Sequence, residues 1–530
     1  MKEEYFEVSG SPAAEIISQI SATLSPRYTI DAQTSDETAA VTCYDSFDWR
    51  LFQAGYALQL TAPARAEERW SLSLARRSAG KTIICGQIEL PPGSSPGFAE
   101  DLPPGPLADA IAPLIEMRKL LPSGDGIAKR SELAIRNEDQ KIVARLTILQ
   151  IDAPNEDGHT PLTQLHCRPI RGYPKPCRIL EKAARKLAPA ASRDGCLLAT
   201  NLFAMAGRQV GNYQSRLVLS LHPKMNARQA LCHILLHLLD QMCVNAPGTC
   251  AAIDSEFLHD FRIAVRRSRS AIGQFKTIFP PTERERFSHE LRWLGQVTGP
   301  TRDADVYLLA FDDYCAMLPE GRRDDLLPLK RFLRERQRGE QRKLTRALNS
   351  KRYEKFVADW RNFLCDDEAI WQEPSLTPIK QLAAKRIWRL YRAICRDGEA
   401  ITEESPDDAL HDIRKEGKKL RYLLQFFDQL YPPSTVKPLA RTLRTLQNIL
   451  GDFQDYHVQS VALRGFADEM AEKKKAPPET IMAMGLLIEV LAGLQADSRA
   501  RFDEAFAAFS GAGTEDRFRK LCGKKKRGAP

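Results

Sequence analysis

Leu258-His259-Asp260-Phe261-Arg262 and Leu410-His411-Asp412-Ile413-Arg414 stand 152 positions apart, and the same offset continues without a gap. It carries Phe279-Pro280-Pro281 onto Tyr431-Pro432-Pro433, Leu291-Arg292 onto Leu443-Arg444, and Val306 onto Val458. Fourteen of the 49 paired positions are identical, several times what unrelated segments share. The second half of the chain therefore reads as an internal duplication.

Both stretches open helices. With about 100° between successive residues, His259, Arg262, Arg266 and Arg269 fall within roughly 80° of one another and form one cationic stripe. Phe261, Val265, Ile272, Phe275 and Phe279 occupy a separate sector, which should meet the core. The second copy repeats this division, with His411, Arg414, Lys418 and Arg421 on one side and Ile413, Leu420, Leu424 and Phe427 on the other.

A solvated helix face usually mixes signs, because opposite charges at i,i+4 attract and like charges repel. Neither stripe contains a carboxylate. Two unit charges about 6 Å apart repel by roughly 0.7 kcal/mol in water and about 3 kcal/mol at an effective dielectric of 20. Facing each other across a groove, the stripes need water, counterions or a polyanion between them.

At 530 residues and 59.6 kDa the chain is long enough for two to four domains with ordinary cores. Its net charge of +9 is uneven. Residues 1–221 carry 25 basic and 25 acidic side chains, and residues 222–530 carry 52 and 43, so the excess lies in the duplicated half. That suits an anionic partner without choosing among nucleic acid, membrane surface and phosphate polymer. The 12 cysteines are scattered and form no C-x-x-C pair, which argues against a disulfide framework or zinc ribbon and for reduced thiols in the cytoplasm. Residues 1–5 do not read as a signal peptide. The apolar runs Leu231–Val244 and Ile481–Ala496 are interrupted by His233, His237, Asp240 and Glu489, so no membrane span is expected.

Residues 1 to about 185 read as short strands, Val41–Tyr44, Ala57–Leu60, Trp70–Leu74, Thr82–Leu90, Ser131–Arg136, Lys141–Ile151 and Thr163–Arg168, with helices at Pro12–Leu24 and Leu107–Lys119. This is α+β with antiparallel strands. Within it, Tyr44-Asp45 followed by Arg50-Leu51 and Ala54-Gly55-Tyr56-Ala57-Leu58 resembles CYTH proteins of the triphosphate tunnel group. The resemblance implies an eight-stranded antiparallel barrel over residues 1–205, holding a triphosphate with inward Arg and Lys and a metal with Glu-x-Glu-x-Lys on the first strand. The chain departs from that pattern. Glu3-Glu4-Tyr5-Phe6-Glu7-Val8 offers no two acids followed by lysine, Gln59 stands where the strand arginine is expected, and Thr163–Arg168 has no paired acids. Mg²⁺ and Mn²⁺ need carboxylate oxygens, so a divergent barrel is expected, with Mg²⁺ or Mn²⁺ as a cofactor only if it is active.

From residue 222 helices dominate. Ala246-Pro247-Gly248, Pro280-Pro281 and Gly299-Pro300 read as breaks between them, and each half as an up-and-down bundle related to the other by a pseudo-twofold axis. Leu258–Arg262 with Arg266–Arg269, Leu291–Leu294 and Gly299–Val306, answered by His411, Arg414, Lys418, Arg421 and Leu446–Asp455, resembles the CHAD domain, the "conserved histidine α-helical domain". The match covers residues 222–510, with repeats at about 222–348 and 378–510, a linker at 206–221 and a basic tail at 511–530. It implies a duplicated four-helix bundle with a basic channel that binds inorganic polyphosphate.

Polyphosphate offers acceptors and no bases to stack. Guanidinium forks take phosphate oxygens bidentately, and ammonium acts as a point charge. The expected ligand-binding residues are His259, Arg262, Arg266, Arg269, His411, Arg414, Lys418, Arg421, Arg292, Arg444, Arg302, Lys385 and Arg389. Asp303 and Asp455 are expected to orient neighbouring cations. Either histidine could equally be a structural hydrogen-bonder. Neither has a partner at triad spacing, and the His233/His237 pair lacks a third zinc ligand. A second stripe, Arg331, Arg334, Arg338 and Arg342, reads equally well as a solvated face. Three functions stand open: a non-catalytic polyphosphate binder in the cytoplasm or on polyphosphate granules, a metal-dependent triphosphatase, and a nucleic-acid binder, the last without a recognised motif or stacking platform.

Overall fold

The computed structural model describes residues 4–9, 11–25, 27–63, 67–78, 81–152, 162–187 and 197–524. The chain divides into two compact units, Met1–Arg216 and Leu217–Pro530.

In the first unit β1 (Glu4–Ser9), β2 (Thr29–Asp45), β3 (Tyr56–Pro63), β4 (Trp70–Ser78), β5 (Lys81–Leu90), β6 (Leu121–Arg136), β7 (Ile142–Asp152) and β8 (Leu162–Pro169) form a closed antiparallel barrel in the order β1-β5-β4-β3-β2-β6-β7-β8. The seam between β1 and β5 is narrow among the described residues, a single register pair at Tyr5 and Thr82. Helices α1 (Ala13–Leu24), α2 (Arg50–Gln53), α3 (Pro106–Ile115), α4 (Pro174–Leu187) and α5 (Leu197–Met205) complete the unit.

Alternation sorts the strand residues between two faces. Phe6, Val8, Leu133, Ile135, Leu146 and Ile148 pack under Ile16, Ile20 and Leu180 of α1 and α4, and Leu58, Leu60, Leu72 and Leu74 pack under Leu107 and Ile111 of α3. The opposite, inward face carries Val41, Cys43 and Ala128, and there Ala199, Leu202 and Phe203 of α5 pack. Gly124 permits this approach, since a Cβ on it would lie 2.5 Å from the Leu202 backbone. On the same face farther round, Gln59 donates to Thr61 at 3.3 Å and Gln87 to Ser71 at 2.8 Å, and the register sets Glu89 beside Ser71 and Arg145 beside Arg168. On β8, Leu165 and Cys167 are buried. Glu3 lies outside the described residues.

Asp45 anchors the motif that follows it. Its carboxylate accepts the backbone N–H groups of Ser46, Leu51 and Phe52 at 2.7, 3.0 and 2.9 Å, which fixes the start of α2. Trp49 has φ 61°. Its indole donates to Asn212 at 3.0 Å, and the Arg208 guanidinium lies 5.0 Å from its ring centroid. The stretch assigned to a linker from residue 206 is therefore packed into the barrel unit through Arg208, Asn212 and Tyr213, because the tryptophan needs a polar partner and a cover.

The second unit is helical: α6 (Ala227–Cys250), α7 (Ser255–Gln274), α8 (Pro281–Leu309), α9 (Phe311–Ala316), α10 (Leu327–Leu348), α11 (Lys351–Cys365), α12 (Ile379–Glu399), α13 (Asp407–Phe426), α14 (Pro433–Glu472), α15 (Pro478–Ala500), α16 (Phe502–Ser510) and α17 (Ala512–Leu521). Shifting both ends of α7 by 152 gives the ends of α13, and the same shift takes the start of α8 to that of α14. Phe261, Val265, Ile272, Phe275 and Phe279 are buried, as are Ile413, Leu420, Leu424 and Phe427. Residues related by the offset also touch. Ala227 donates its N–H to Thr377 at 2.9 Å, and Ile379, the counterpart of Ala227, donates to Met225, the counterpart of Thr377, at 3.0 Å.

Two expected breaks are absent. Helix α6 runs through Pro247, and α8 runs through Gly299-Pro300. An interior proline costs about 3 kcal/mol. In α8, Thr298, Thr301 and Ala304 bury one face on both sides of Pro300, so packing offsets that cost. The tail expected from residue 511 begins later. Helix α17 places Phe518 in the core, its ring 4.1 Å from that of Tyr391. Lys525, Lys526 and Arg527 lie outside the described residues.

One stretch, Pro478–Ser510, has the length and apolarity of a membrane span, with mean hydropathy 1.4. The reading that Glu489 disqualifies it on composition does not hold. Ala483, Met484, Leu487 and Leu491 of α15 pack with Tyr307, Phe311, Leu333 and Leu463 in a second helical core. Met482, Leu486 and Val490 are exposed. Among the described residues the cysteines are all free.

Candidate anion-binding cavity

The two stripes meet. His259, Arg262 and Arg266 of α7 and Arg414 and Lys418 of α13 line one cavity of about 710 Å³, together with Arg302 and Asp303 of α8, Arg336 of α10 and Asp455 of α14. Tyr307 and Phe466 also line it, their ring centroids 5.3 Å apart and nearly perpendicular. Like charges are crowded here. Burial, followed by Arg414 and Arg266, pushes the Lys418 ammonium down to about 8. Burial and Arg266 take Arg262 down to about 10, with Asp303 opposing. Arg266 and Lys418 are counterparts in the two repeats, so their coupling places the stripes face to face. Removing an anion from such a site leaves the cations to be screened by water alone, and binding one relieves their repulsion.

The two halves hold their arginines differently. Arg262 donates to the Thr298 hydroxyl at 2.8 Å and the Gly295 carbonyl at 3.2 Å. At the corresponding positions the second repeat has Leu450 and Gln447, and leucine cannot accept a hydrogen bond. Arg414 pairs instead with Asp455 at 2.8 Å. Asp455 thus holds the Arg414 guanidinium from α14. Asp303 forms no direct ion pair among the described residues, and burial raises its carboxyl against the pull of Arg262, Arg266 and Arg302.

The remaining expected residues separate. His411 is hydrogen-bonded through Nδ1 to Gln454 and does not line the cavity. The counterpart of Gln454 is Arg302, which donates to the Ser255 carbonyl at 3.3 Å, and His259 faces the cavity. Arg269 lies next to Arg292 and Arg266, which with burial push its guanidinium down. Arg269, Arg292, Arg421, Arg444, Lys385 and Arg389 are not part of the cavity lining, and Arg292, Arg444, Lys385 and Arg389 are exposed. For Arg269 and Arg421 the stripe runs along α7 and α13 beyond the cavity, and Arg292, Arg444, Lys385 and Arg389 stand on α8, α14 and α12. His237 has a buried Nε2 without a hydrogen-bond partner, burial pushes its imidazole down, and among the described residues no group of three metal-binding side chains forms.

Arg336 was missed. The visible stripe on α10, Arg331, Arg334, Arg338 and Arg342, does not line the cavity, whereas Arg336, itself 41% exposed, follows the buried Phe332 by four residues and Leu333 by three. A charge within an apolar stripe was the available signal. It pairs with Glu469 at 2.8 Å and stands 5.5 Å from the Phe466 ring centroid.

Matched cations from equivalent helices thus line one cavity of the helical unit. Residues 233–464 match the family model of the CHAD domain, and that part of the helical unit is a CHAD domain. Over 255 residues the chain is 29% identical to uncharacterized proteins from two strains of Mycobacterium tuberculosis. The matched segment is 47% of this chain and 47% of each relative, so the chain spans about half the length of these relatives. Among solved structures, the CHAD domain from the plant Ricinus communis shares 22% identity at a TM-score of 0.47, covering 56% of this chain and 95% of that one. A putative adenylyl cyclase from Hippeastrum, reported with a dominant triphosphatase activity, shares 13% identity at a TM-score of 0.26, covering 39% and 97%.

Proposed function

We propose that the helical unit binds inorganic polyphosphate in this cavity without chemical turnover, as a cytoplasmic protein that associates with polyphosphate granules. The observation that carries this reading is the convergence of Arg262, Arg266, Arg414 and Lys418 from two equivalent helices on one space. A chain of phosphates supplies closely spaced negative charge and only acceptors, which suits forked guanidinium donors and an ammonium at close quarters. The exposed surface of the cavity offers no base-stacking platform of the kind nucleic acids use, since Tyr307 is buried edge-on against Phe466.

Titration of the full chain with long-chain polyphosphate, RNA and heparin tests the reading. Polyphosphate should bind most tightly and displace the other two. Equal or tighter binding of RNA would overturn it. Phosphate release from tripolyphosphate that a chelator abolishes would establish turnover instead.

A further inference from the structure

Arg336 reaches the cavity from α10, and the 152-residue offset gives it Ile488 as its counterpart, a residue that does not line the cavity. Two of the lining guanidiniums are held by carboxylates, Arg414 by Asp455 and Arg336 by Glu469, each at 2.8 Å. The two acids differ in place. Asp455 itself lines the cavity, whereas Glu469 does not. A phosphate that draws on Arg414 therefore still meets Asp455, but one that draws Arg336 off Glu469 leaves that acid outside the lining.

Glu469 can release Arg336 without being stranded. Arg336 donates through Nη1 to Oε2, while Lys473, one turn further along α14, donates to Oε1 at 2.6 Å. Lys473, ahead of Arg336, holds the Glu469 carboxyl below the usual carboxylate range. A carboxylate that keeps one cation and is itself 31% exposed loses little when the other leaves, since exposed ion pairs contribute only modestly. The surface beneath Arg336 stays in place. Its guanidinium stands 5.5 Å from the centroid of Phe466, a cavity-lining ring set between Tyr307 and Phe332 at centroid distances of 5.3 and 5.8 Å. A guanidinium can keep such a contact with a ring face while its N–H fork turns from one acceptor to another.

We propose that Arg336 exchanges partners when the cavity fills, leaving Glu469 for a phosphate oxygen of the ligand, so that Glu469 is a built-in competitor that limits what this arginine contributes to affinity. This rests on the polyphosphate reading. The ligand brings several acceptor oxygens that the other cations of the cavity hold in place, whereas Glu469 offers one oxygen at an exposed contact. The neighbouring pair, Glu335 with Lys475 at 2.6 Å, has no part in the exchange, because neither residue lines the cavity.

Calorimetric titration of the full chain with long-chain polyphosphate tests this in wild type, Glu469→Gln, Arg336→Gln, the double variant and Glu335→Gln. Glu469→Gln should tighten binding about twofold to fivefold, the range that an exposed ion pair contributes. Arg336→Gln should weaken it about tenfold, as for loss of a charge-assisted bond. In the Arg336→Gln background Glu469→Gln should change nothing, and Glu335→Gln, which removes an equal charge from the preceding residue of α10, should leave wild-type affinity. Arg336→Lys, which keeps the charge and loses the fork, should fall between wild type and Arg336→Gln, and circular dichroism should report a folded chain for each variant. A gain that persists without Arg336, or that Glu335→Gln reproduces, is the general effect of removing a negative charge and overturns the exchange. Weaker binding by Glu469→Gln makes Glu469 a support that positions Arg336, and overturns it too. Wild-type affinity in Arg336→Gln overturns the exchange and leaves polyphosphate binding intact, whereas absence of binding by the wild type overturns both.

Discussion

Phe275 and Phe427 meet edge to face, with ring centroids 5.8 Å apart and planes at 83°. They are the same residue of the two repeats, and such a contact between counterparts occurs only near an axis that exchanges the halves. Arg266 and Lys418, also counterparts, act on each other at the cavity. The apolar end of this pair of helices holds the repeats together, and the cationic end holds them open.

Reversing the charge of Arg262, Arg266, Arg414 and Lys418 together to Glu should abolish the site. Each charge-assisted contact contributes roughly 1.5–3 kcal/mol, so polyphosphate affinity should fall by more than about a hundredfold in calorimetry. Changing Lys524, Lys525, Lys526 and Arg527 to Gln should lower it only slightly. Retention of affinity in the quadruple variant would place binding elsewhere.

The stripes were legible because both copies keep charge at positions that a helix brings to one face, and the core sectors because Phe261, Ile272 and Phe275 recur at helical spacing. What lay beyond the sequence depended on tertiary structure. Pro300 reads as a break until Thr298, Thr301 and Ala304 are seen buried on both sides of it. His411 matches His259 in sequence, but one substitution opposite it, Gln454 for Arg302, gives the ring a partner and takes it out of the cavity lining. Tyr307 is buried on α8 and Arg336 is one cation among many on α10, and only the meeting of α8, α10 and α14 brings both to the cavity.

Binding should weaken linearly in log–log form as salt rises. The slope should be on the order of 0.7 per neutralised phosphate if polyphosphate releases counterions as single-stranded nucleic acid does. The Arg414→Gln variant should show a shallower slope than wild type in filter-binding assays across a salt series. An unchanged slope would mean that Arg414 does not neutralise the ligand.

Lys418 makes a pH prediction. In the free protein its ammonium titrates near 8, below its ordinary value, because burial, Arg414 and Arg266 disfavour the charge. An anion favours the charged form, so binding near pH 8 should take up a proton, and affinity should drop as pH rises above 8 by up to about tenfold per unit. For the unliganded fold the sign is opposite. The unfolded chain binds the extra proton between about 8 and 10.5, so this group's contribution to stability rises with pH across that window. Lys418→Arg should retain binding and flatten the affinity profile above pH 8. A profile identical to wild type would assign the titration to another group.

The repeats also exchange side-chain size. Gly417 faces Gln447, whose Nε2 would lie 3.4 Å from an added Cβ, whereas their counterparts are Val265 and Gly295. Gly417→Val alone should crowd this contact and lower stability by about 1–3 kcal/mol. Adding Gln447→Gly should recover much of the loss, a coupling that a double-mutant cycle in thermal unfolding measures directly. Simple additivity would show that the two positions do not share space.

The reciprocal bonds Ala227 to Thr377 and Ile379 to Met225 have the form of an isologous contact, in which residue i of one subunit meets j of the other and j meets i. The helical unit is in that sense a homodimer written on a single polypeptide. A dimer of identical chains must change both sides of its site at once, whereas a tethered one can alter either side alone. Arg262 clasped by Thr298 on one wall, and Arg414 by Asp455 on the other, are what that freedom has produced.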